Sequence, residues 1–354
     1  MELKPRKKFY NKNAPRKLKK RKPMSLKRKK LLWLKKLRSR KKKPHQTRSH
    51  NFTPLTDAIV AQAKREIVAG AACIQVGGWA YLRSQNNFGC VDDATPEITD
   101  AMVHRFKIKN AEWLEAEILR FPQELAIPPR VFKVNSIAGE NPFKRSKPMR
   151  FYRLNASVPA RPLLLDEAFG FGNFLKGQTR TLFFDRNIGV TRKLVSIAQD
   201  AQQKNENLQI IYVLVKARPE EPAELSQLLP PSVEVYASYI DSPIQMIAEI
   251  PDFALARAQR LVELGKDALI IVDGLTNWAN ALNSIKISQS GKTQEGEVNL
   301  FVRIIEKVRQ YLQASYQLEG KGSISIVAGV RRKSEPSAVD KELASLVTSI
   351  TSNK

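Results

Sequence analysis

Four apolar runs constrain this chain more than anything else in it: Leu182-Phe183-Phe184, Ile210-Ile211-Tyr212-Val213-Leu214-Val215, Leu269-Ile270-Ile271-Val272, and Ile324 to Ala328. Runs without polar alternation suit strands that are covered on both faces. Stretches of helical periodicity at 191–203, 244–264 and 298–316 separate them. Strand and helix alternating in this way imply a parallel sheet with helices on both sides, so residues 161–348 are expected to form an α/β domain. No internal repeat is visible.

Upstream the pattern is different. Thr53 is placed to cap a helix with Pro54 in its first turn, and Ile59, Ala63 and Ile67 recur at helical spacing, so 53–70 is expected to be a short helical segment. From 71 to 138, short alternating stretches are broken by turn residues: Ala72 to Val76, Trp79 to Arg83, Glu115 to Arg120 and Val131 to Val134. Several short strands in so few residues predict a small closed barrel. Residues 139–160, with the Gly-, Pro- and charge-rich segment from Gly139 to Pro148, read as a linker.

Charge is segregated. Of the 60 Lys and Arg, 23 lie in residues 1–50 beside a single acid, Glu2, so nearly all of the formal +26 sits in that tail. Basic blocks such as Lys27-Arg28-Lys29-Lys30, with prolines at 5, 15, 23 and 44, predict an expanded, disordered tail over 1–52 that binds polyanions. A solvated tail without a partner and an anionic membrane surface are the alternatives. Cys73 and Cys90 have no paired spacing, which argues against a disulfide framework, and the three histidines form no metal-ligand cluster. With no apolar stretch to span a bilayer and no secretory signal, the expected location is cytoplasmic, with no membrane partner.

Gly78-Trp79-Ala80-Tyr81-Leu82-Arg83 is the most informative piece of the barrel. Residues two apart on a strand share a face, so Trp79, Tyr81 and Arg83 would form one row. Two aromatics and an arginine in a row make a stacking platform for unpaired bases. Aromatics on strands also fill barrel interiors, and the residues alone leave both readings open.

Thr181 to Leu194 has the layout of a phosphate-binding loop: a strand, one glycine (Gly189), a hydroxyl residue (Thr191) and a following helix. Val190 stands where a lysine should reach the terminal phosphates. Around it lie Lys176-Gly177-Gln178, Ile197-Ala198-Gln199, Lys216-Ala217-Arg218-Pro219-Glu220-Glu221, Ala256 to Glu263, Ala268 to Thr276, Asn277 to Asn283, and Ser290-Gly291-Lys292. In this order they resemble the bacterial transcription termination factor Rho over about residues 70–345. The Gly78–Arg83 segment is similar to the strand with which that family's cold-shock-like domain stacks single-stranded RNA. His104 to Ile108 and Phe132 to Asn135 follow in the expected order. Thr95-Pro96-Glu97-Ile98 lacks the further aromatic of the family's base pocket, which implies a weak or altered base preference.

The resemblance implies a fold: an α/β RecA-like parallel sheet domain, preceded by a small all-β OB-fold (cold-shock-like) barrel and the disordered basic tail. It also implies site residues. Trp79, Tyr81, Arg83 and Lys292 would contact RNA, Lys292 from a loop in a central pore, and the basic Arg331-Arg332-Lys333 lies near a second such loop. Gly189, Thr191, Arg218 and Asp273 would form a degenerate nucleotide site, with Thr191 and Asp273 as the Mg²⁺-associated pair. No residue is assigned as catalytic. Val190 replaces the phosphate lysine, Ala217 the glutamate that polarises water, and the segment bearing the family's arginine finger is missing near Lys354. Together these imply lost hydrolysis, with weak binding of ATP and Mg²⁺ as the cofactor expectation. Arg186, Arg192 and Lys193 are nearby cations that could substitute.

The leading expectation is therefore a hydrolysis-deficient Rho-like protein that binds single-stranded RNA in transcription termination or its regulation. Two alternatives come with it. One is an active ATP-driven RNA translocase. The other is a structural or regulatory subunit that joins a ring with itself, as a homo-hexamer, or with a complete Rho. RNA polymerase is a further partner expectation.

Overall fold

The computed structural model describes residues 50, 52–145, 155–184, 189–289, 294–332 and 336–352. The described elements belong to one compact unit, Ser49–Lys354, while the basic tail lies outside the described residues.

The first element is a short helix, α1 (Asp57–Gln62), capped by the Thr56 side chain, which accepts from the Ile59 amide. Then come β1 (Lys64–Ile74), β2 (Ala80–Ser84), β3 (Glu97–Ile98), α2 (Asp100–Phe106), β4 (Trp113–Arg120) and β5 (Arg130–Ile137). This corrects the expectation of a helical segment over 53–70 capped by Thr53. Ala63 is already extended, and from Lys64 the chain pairs antiparallel with β4 and then also with β2. Ladder bonds on two sides outweigh the helical spacing of Ile59, Ala63 and Ile67, and Ile67 is 65% exposed instead of packed on a helix face. The strands close into a barrel in the order β1-β2-β3-β5-β4. Its interior holds Val68, Ala72, Ala80, Leu82, Ile98, Leu114, Ala116, Ile118, Val131, Val134 and Ile137, the inward half of each alternation.

After residue 155 the chain builds a seven-stranded sheet. In order it contributes β6 (Ala156–Ser157), β7 (Thr179–Phe184), α3 (Val190–Lys204), β8 (Leu208–Ala217), α4 (Glu221–Leu228), β9 (Glu234–Tyr239) and α5 (Ile244–Glu263). These are followed by β10 (Asp267–Asp273), α6 (Leu275–Gln289), α7 (Gln294–Leu312), β11 (Tyr316–Leu318), β12 (Ser323–Arg331) and α8 (Ala338–Ser352). The strand order is β6-β11-β12-β10-β8-β9, and β7 pairs parallel with the second half of β12. The four apolar runs are β7, β8, β10 and β12, which pair parallel with one another. Successive residues feed opposite faces: Ile270 and Val272 pack towards α5 and α6, while Leu269 and Ile271 pack towards α3. Both faces are thus covered, as the lack of polar alternation requires. No helix among the described residues is long and apolar enough to cross a membrane.

The barrel packs against the sheet unit through its outer face. Ala71, Cys73 and Ala111 join the cluster that contains Ile250 and Phe253 of α5. Polar bonds flank this contact: the Ala237 amide to the Phe88 carbonyl at 2.9 Å, the Val235 amide to Gln85 Oε1 at 2.7 Å, and Lys109 Nζ to Glu263 at 2.9 Å. Both cysteines are free and buried there, and burial pushes the Cys73 thiol up to about 12.

Candidate functional site

Two places gather the residues singled out from the sequence. The first is the carboxyl end of the parallel strands, where β7 leads towards α3 and β10 leads into α6. Gly189 directly precedes α3, and its helix start has no side-chain cap. Thr191, in the first turn of α3, donates from Oγ1 to Asp273 Oδ2 at 2.7 Å. The Tyr212 hydroxyl donates to the same oxygen at 3.2 Å. Asp273 ends β10 at 5% exposure. Burial pushes its carboxyl up, opposed by the bonds from Thr191 and Tyr212 and by the Arg331 charge. The Tyr212 phenol is pushed well up by its own burial and by the carboxylate beside it.

Gly189, Thr191 and Asp273 are thus brought together, and Tyr212 joins them. Arg218 is not part of this bonding: it is exposed at the end of β8, where its backbone amide donates to Glu221 Oε2. Val190 is 3% exposed and packs over β12, since a Cβ at Gly329 would stand 3.1 Å from its Cγ1. Ala217 is fully buried at the end of β8. Of the neighbouring cations, Lys193 lies over the Phe169 ring at 4.7 Å and Arg192 is exposed, while Arg186 lies outside the described residues. A small cavity opens here, lined by Val190, Asp273, Thr276, Asn277, Gly329 and Arg331.

Mg²⁺ prefers oxygen donors, and the Thr191 hydroxyl with the Asp273 carboxylate supplies such a pair, leaving the other positions to phosphate oxygens and water. The donor set therefore fits the metal. The phosphate half fits less well, because the side chain at the lysine position is an isopropyl group held in the core. A bound ATP with Mg²⁺ would present a phosphate chain to this end of the sheet. The residues in place could hold its metal, orient it from α3, and balance part of its charge.

The second place is the outer face of β2. Trp79 and Tyr81 meet edge to face with centroids 4.6 Å apart, and neither belongs to the barrel interior. Trp79 is 9% exposed because the chain covers it. The His50 ring stacks on it at 4.0 Å and 15°, and His50 Nε2 is 2.9 Å from Glu97 Oε1. Phe52 meets Trp79 edge-on and lies beneath the Arg130 guanidinium. Arg130 Nη1 also donates to the Thr53 carbonyl at 2.8 Å. His50 and Phe52 were not singled out from the sequence. Their only signal is that two rings immediately follow a basic segment.

Arg83 departs from the sequence reading. It shares the outward face, but that face runs into the sheet unit, and the side chain is 1% exposed. Its guanidinium lies over Phe253 at 4.7 Å, donates to the Gly89 carbonyl at 3.2 Å, and stands 3.6 Å from Glu249. Arg83 therefore ties the barrel to α5 and offers no open cation to a base. Lys292 lies outside the described residues.

Comparison with known proteins adds four findings. The model of the ATP synthase alpha/beta family, nucleotide-binding domain, matches residues 170–352. Transcription termination factor Rho of Neisseria gonorrhoeae is 26% identical over 290 residues, covering 77% of this chain and 68% of that protein. The protein of the same name from Pseudomonas aeruginosa is 26% identical over 291 residues, again with 77% and 68% covered. Among solved structures, a prototypical ATPase from the type III secretion system of pathogenic bacteria is similar at a TM-score of 0.47 and 22% identity, covering 62% of this chain and 64% of the other.

Proposed function

The chain belongs to the ATP synthase alpha/beta family through its nucleotide-binding domain, and from that premise we propose that it is a Rho-like protein that binds single-stranded RNA, acts in transcription termination or its regulation, and has lost ATP hydrolysis. The observation that carries this reading is the extent of the likeness to the two Rho proteins. It takes in 77% of the chain, more than residues 155–352 provide, and so reaches the barrel as well as the sheet.

The barrel is an OB-like module whose Trp79 and Tyr81 rings stack unpaired bases, and the basic tail adds affinity that does not depend on sequence. The nucleotide site keeps the Thr191–Asp273 pair but has Val190 in its core and Ala217 at the strand end. Without the lysine to neutralise charge on the terminal phosphates and an acid to orient water, transition-state stabilisation is largely absent. The retained scaffold serves binding and assembly, in a ring of its own copies or with a complete Rho.

ATP hydrolysis by the purified protein, with and without pyrimidine-rich single-stranded RNA and beside an Asp273→Asn control, tests the reading. RNA binding without turnover is expected. RNA-stimulated turnover abolished by Asp273→Asn would replace this reading with an ATP-driven RNA translocase.

A further inference from the structure

Arg331 ends β12 directly opposite Phe184, the last residue of β7 before the phosphate-loop position. It is exposed, enters no ion pair among the described residues, and lies near enough for its charge to act on Asp273. Arg331 lines a cavity together with Thr276, which is 5% exposed and whose Oγ1 is buried without a hydrogen-bond partner among the described residues. A buried hydroxyl with no partner is uncommon and calls for an explanation. Thr276 also sits in the first turn of α6. The Trp278 amide bonds back to the Gly274 carbonyl at 3.0 Å, so the amides of Leu275, Thr276 and Asn277 precede the first bond of the helix. A helix start of this kind attracts anions. The cavity itself leaves room for one, with a volume of about 80 Å³ beside the apolar lining of Val190 and Gly329. Asp273 is the acid lining the cavity, and its Oδ2 is already taken by Thr191 and Tyr212.

We infer that Arg331, with the Thr276 hydroxyl and the amino end of α6, forms a phosphate site that carries the positive charge Val190 cannot supply. The ligand is a phosphate group, either free or at the end of a nucleoside triphosphate. A guanidinium suits it because its fork of donors meets phosphate oxygens two at a time. The charge has moved from the start of α3 to the end of β12, both of which line the same cavity. This deepens the nucleotide half of the proposed function and rests on that reading only for the triphosphate source.

Titration calorimetry of the full chain at high salt, where the basic tail is screened, tests it with inorganic phosphate, with ATP and Mg²⁺, and with adenosine. Saturable binding of phosphate, of ATP, or of both is expected, with none for adenosine. Binding of ATP alone names the nucleotide as the source, and binding of phosphate names the free anion. Arg331→Ala should weaken binding about tenfold or more, Arg331→Lys should restore part of it, and Thr276→Val should weaken it severalfold with the fold intact. Absence of saturable binding, or affinity unchanged in Arg331→Ala, overturns the site. RNA affinity of Thr276→Val should match wild type. A loss of RNA affinity in Arg331→Ala with phosphate binding unchanged also overturns the site, because it makes Arg331 an RNA contact. Failure of the wild type to bind RNA while phosphate binding persists would sink the RNA reading and leave this site standing.

Discussion

Thr191 Oγ1 and Asp273 Oδ2 lie 2.7 Å apart although 82 positions separate them in the chain, so the first turn of α3 is tied to the end of β10 by one charge-assisted bond. Tyr212, on β8 between these elements, adds a second donor to the same oxygen. Removing one donor leaves the buried carboxylate with a single partner. Thr191→Val should therefore cost about 1–3 kcal/mol of unfolding free energy. Denaturant titration with the slope held constant reads this directly.

Burial holds the Asp273 carboxyl above its ordinary range. A folded-state pKa above the unfolded one means the native state retains a proton that the unfolded chain has released. This group's stabilising effect is full below the ordinary carboxylate value and is lost as pH rises through the folded value. Asp273→Asn keeps an oxygen for Thr191 and Tyr212 and carries no charge. It should raise Tm at pH 7 by about 2 °C or more, with the gain shrinking towards pH 4. Melting curves across that range check the sign, and a gain that grows on acidification would refute it.

Arg83 should behave as a structural residue. Arg83→Ala removes the guanidinium from Phe253 and the Gly89 carbonyl and leaves Glu249 with the Cys73 thiol bond, for a loss of about 1–3 kcal/mol. Arg83→Lys should not recover this, because an ammonium cannot lie flat on the ring while bonding to both sides. The RNA affinity of the folded fraction should stay as in wild type. Calorimetric unfolding and RNA titration on one preparation separate the two effects.

Trp79→Ala should weaken binding of single-stranded RNA by about 1–3 kcal/mol, the range for loss of one base–aromatic stack. His50→Ala should act in the opposite direction, because the His50 ring now covers the Trp79 face that a base would use. Fluorescence anisotropy with a labelled oligonucleotide measures both. Equal affinities in wild type and Trp79→Ala would remove β2 from the RNA site.

Val190→Lys tests how far the nucleotide site has drifted. The new side chain must leave a position that is 3% exposed and packed against β12, which should lower Tm. ATP affinity should rise, with turnover still absent because Ala217 offers no acid to water. Hydrolysis gained by this one substitution would show that the lysine alone was missing.

The parallel sheet was legible in the sequence because a strand covered on both faces favours apolar side chains on both, and β7, β8, β10 and β12 each carry a mainly apolar run. The Gly189-Val190-Thr191 segment and Asp273 were legible too, since a loop between a strand and a helix keeps local order. What the sequence left open depends on surfaces meeting. Lys64 to Ile74 could be read as part of a helix until β2 and β4 supplied ladders on either side. Alternation placed Trp79, Tyr81 and Arg83 on one face, but only the tertiary packing decided that Arg83 is buried against α5 and that His50 covers Trp79. Arg331 and Thr276 are 55 residues apart, and nothing in the order of the chain pairs them. They face one cavity because β12 and β10 are hydrogen-bonded neighbours, a pairing of distant segments that local order does not encode.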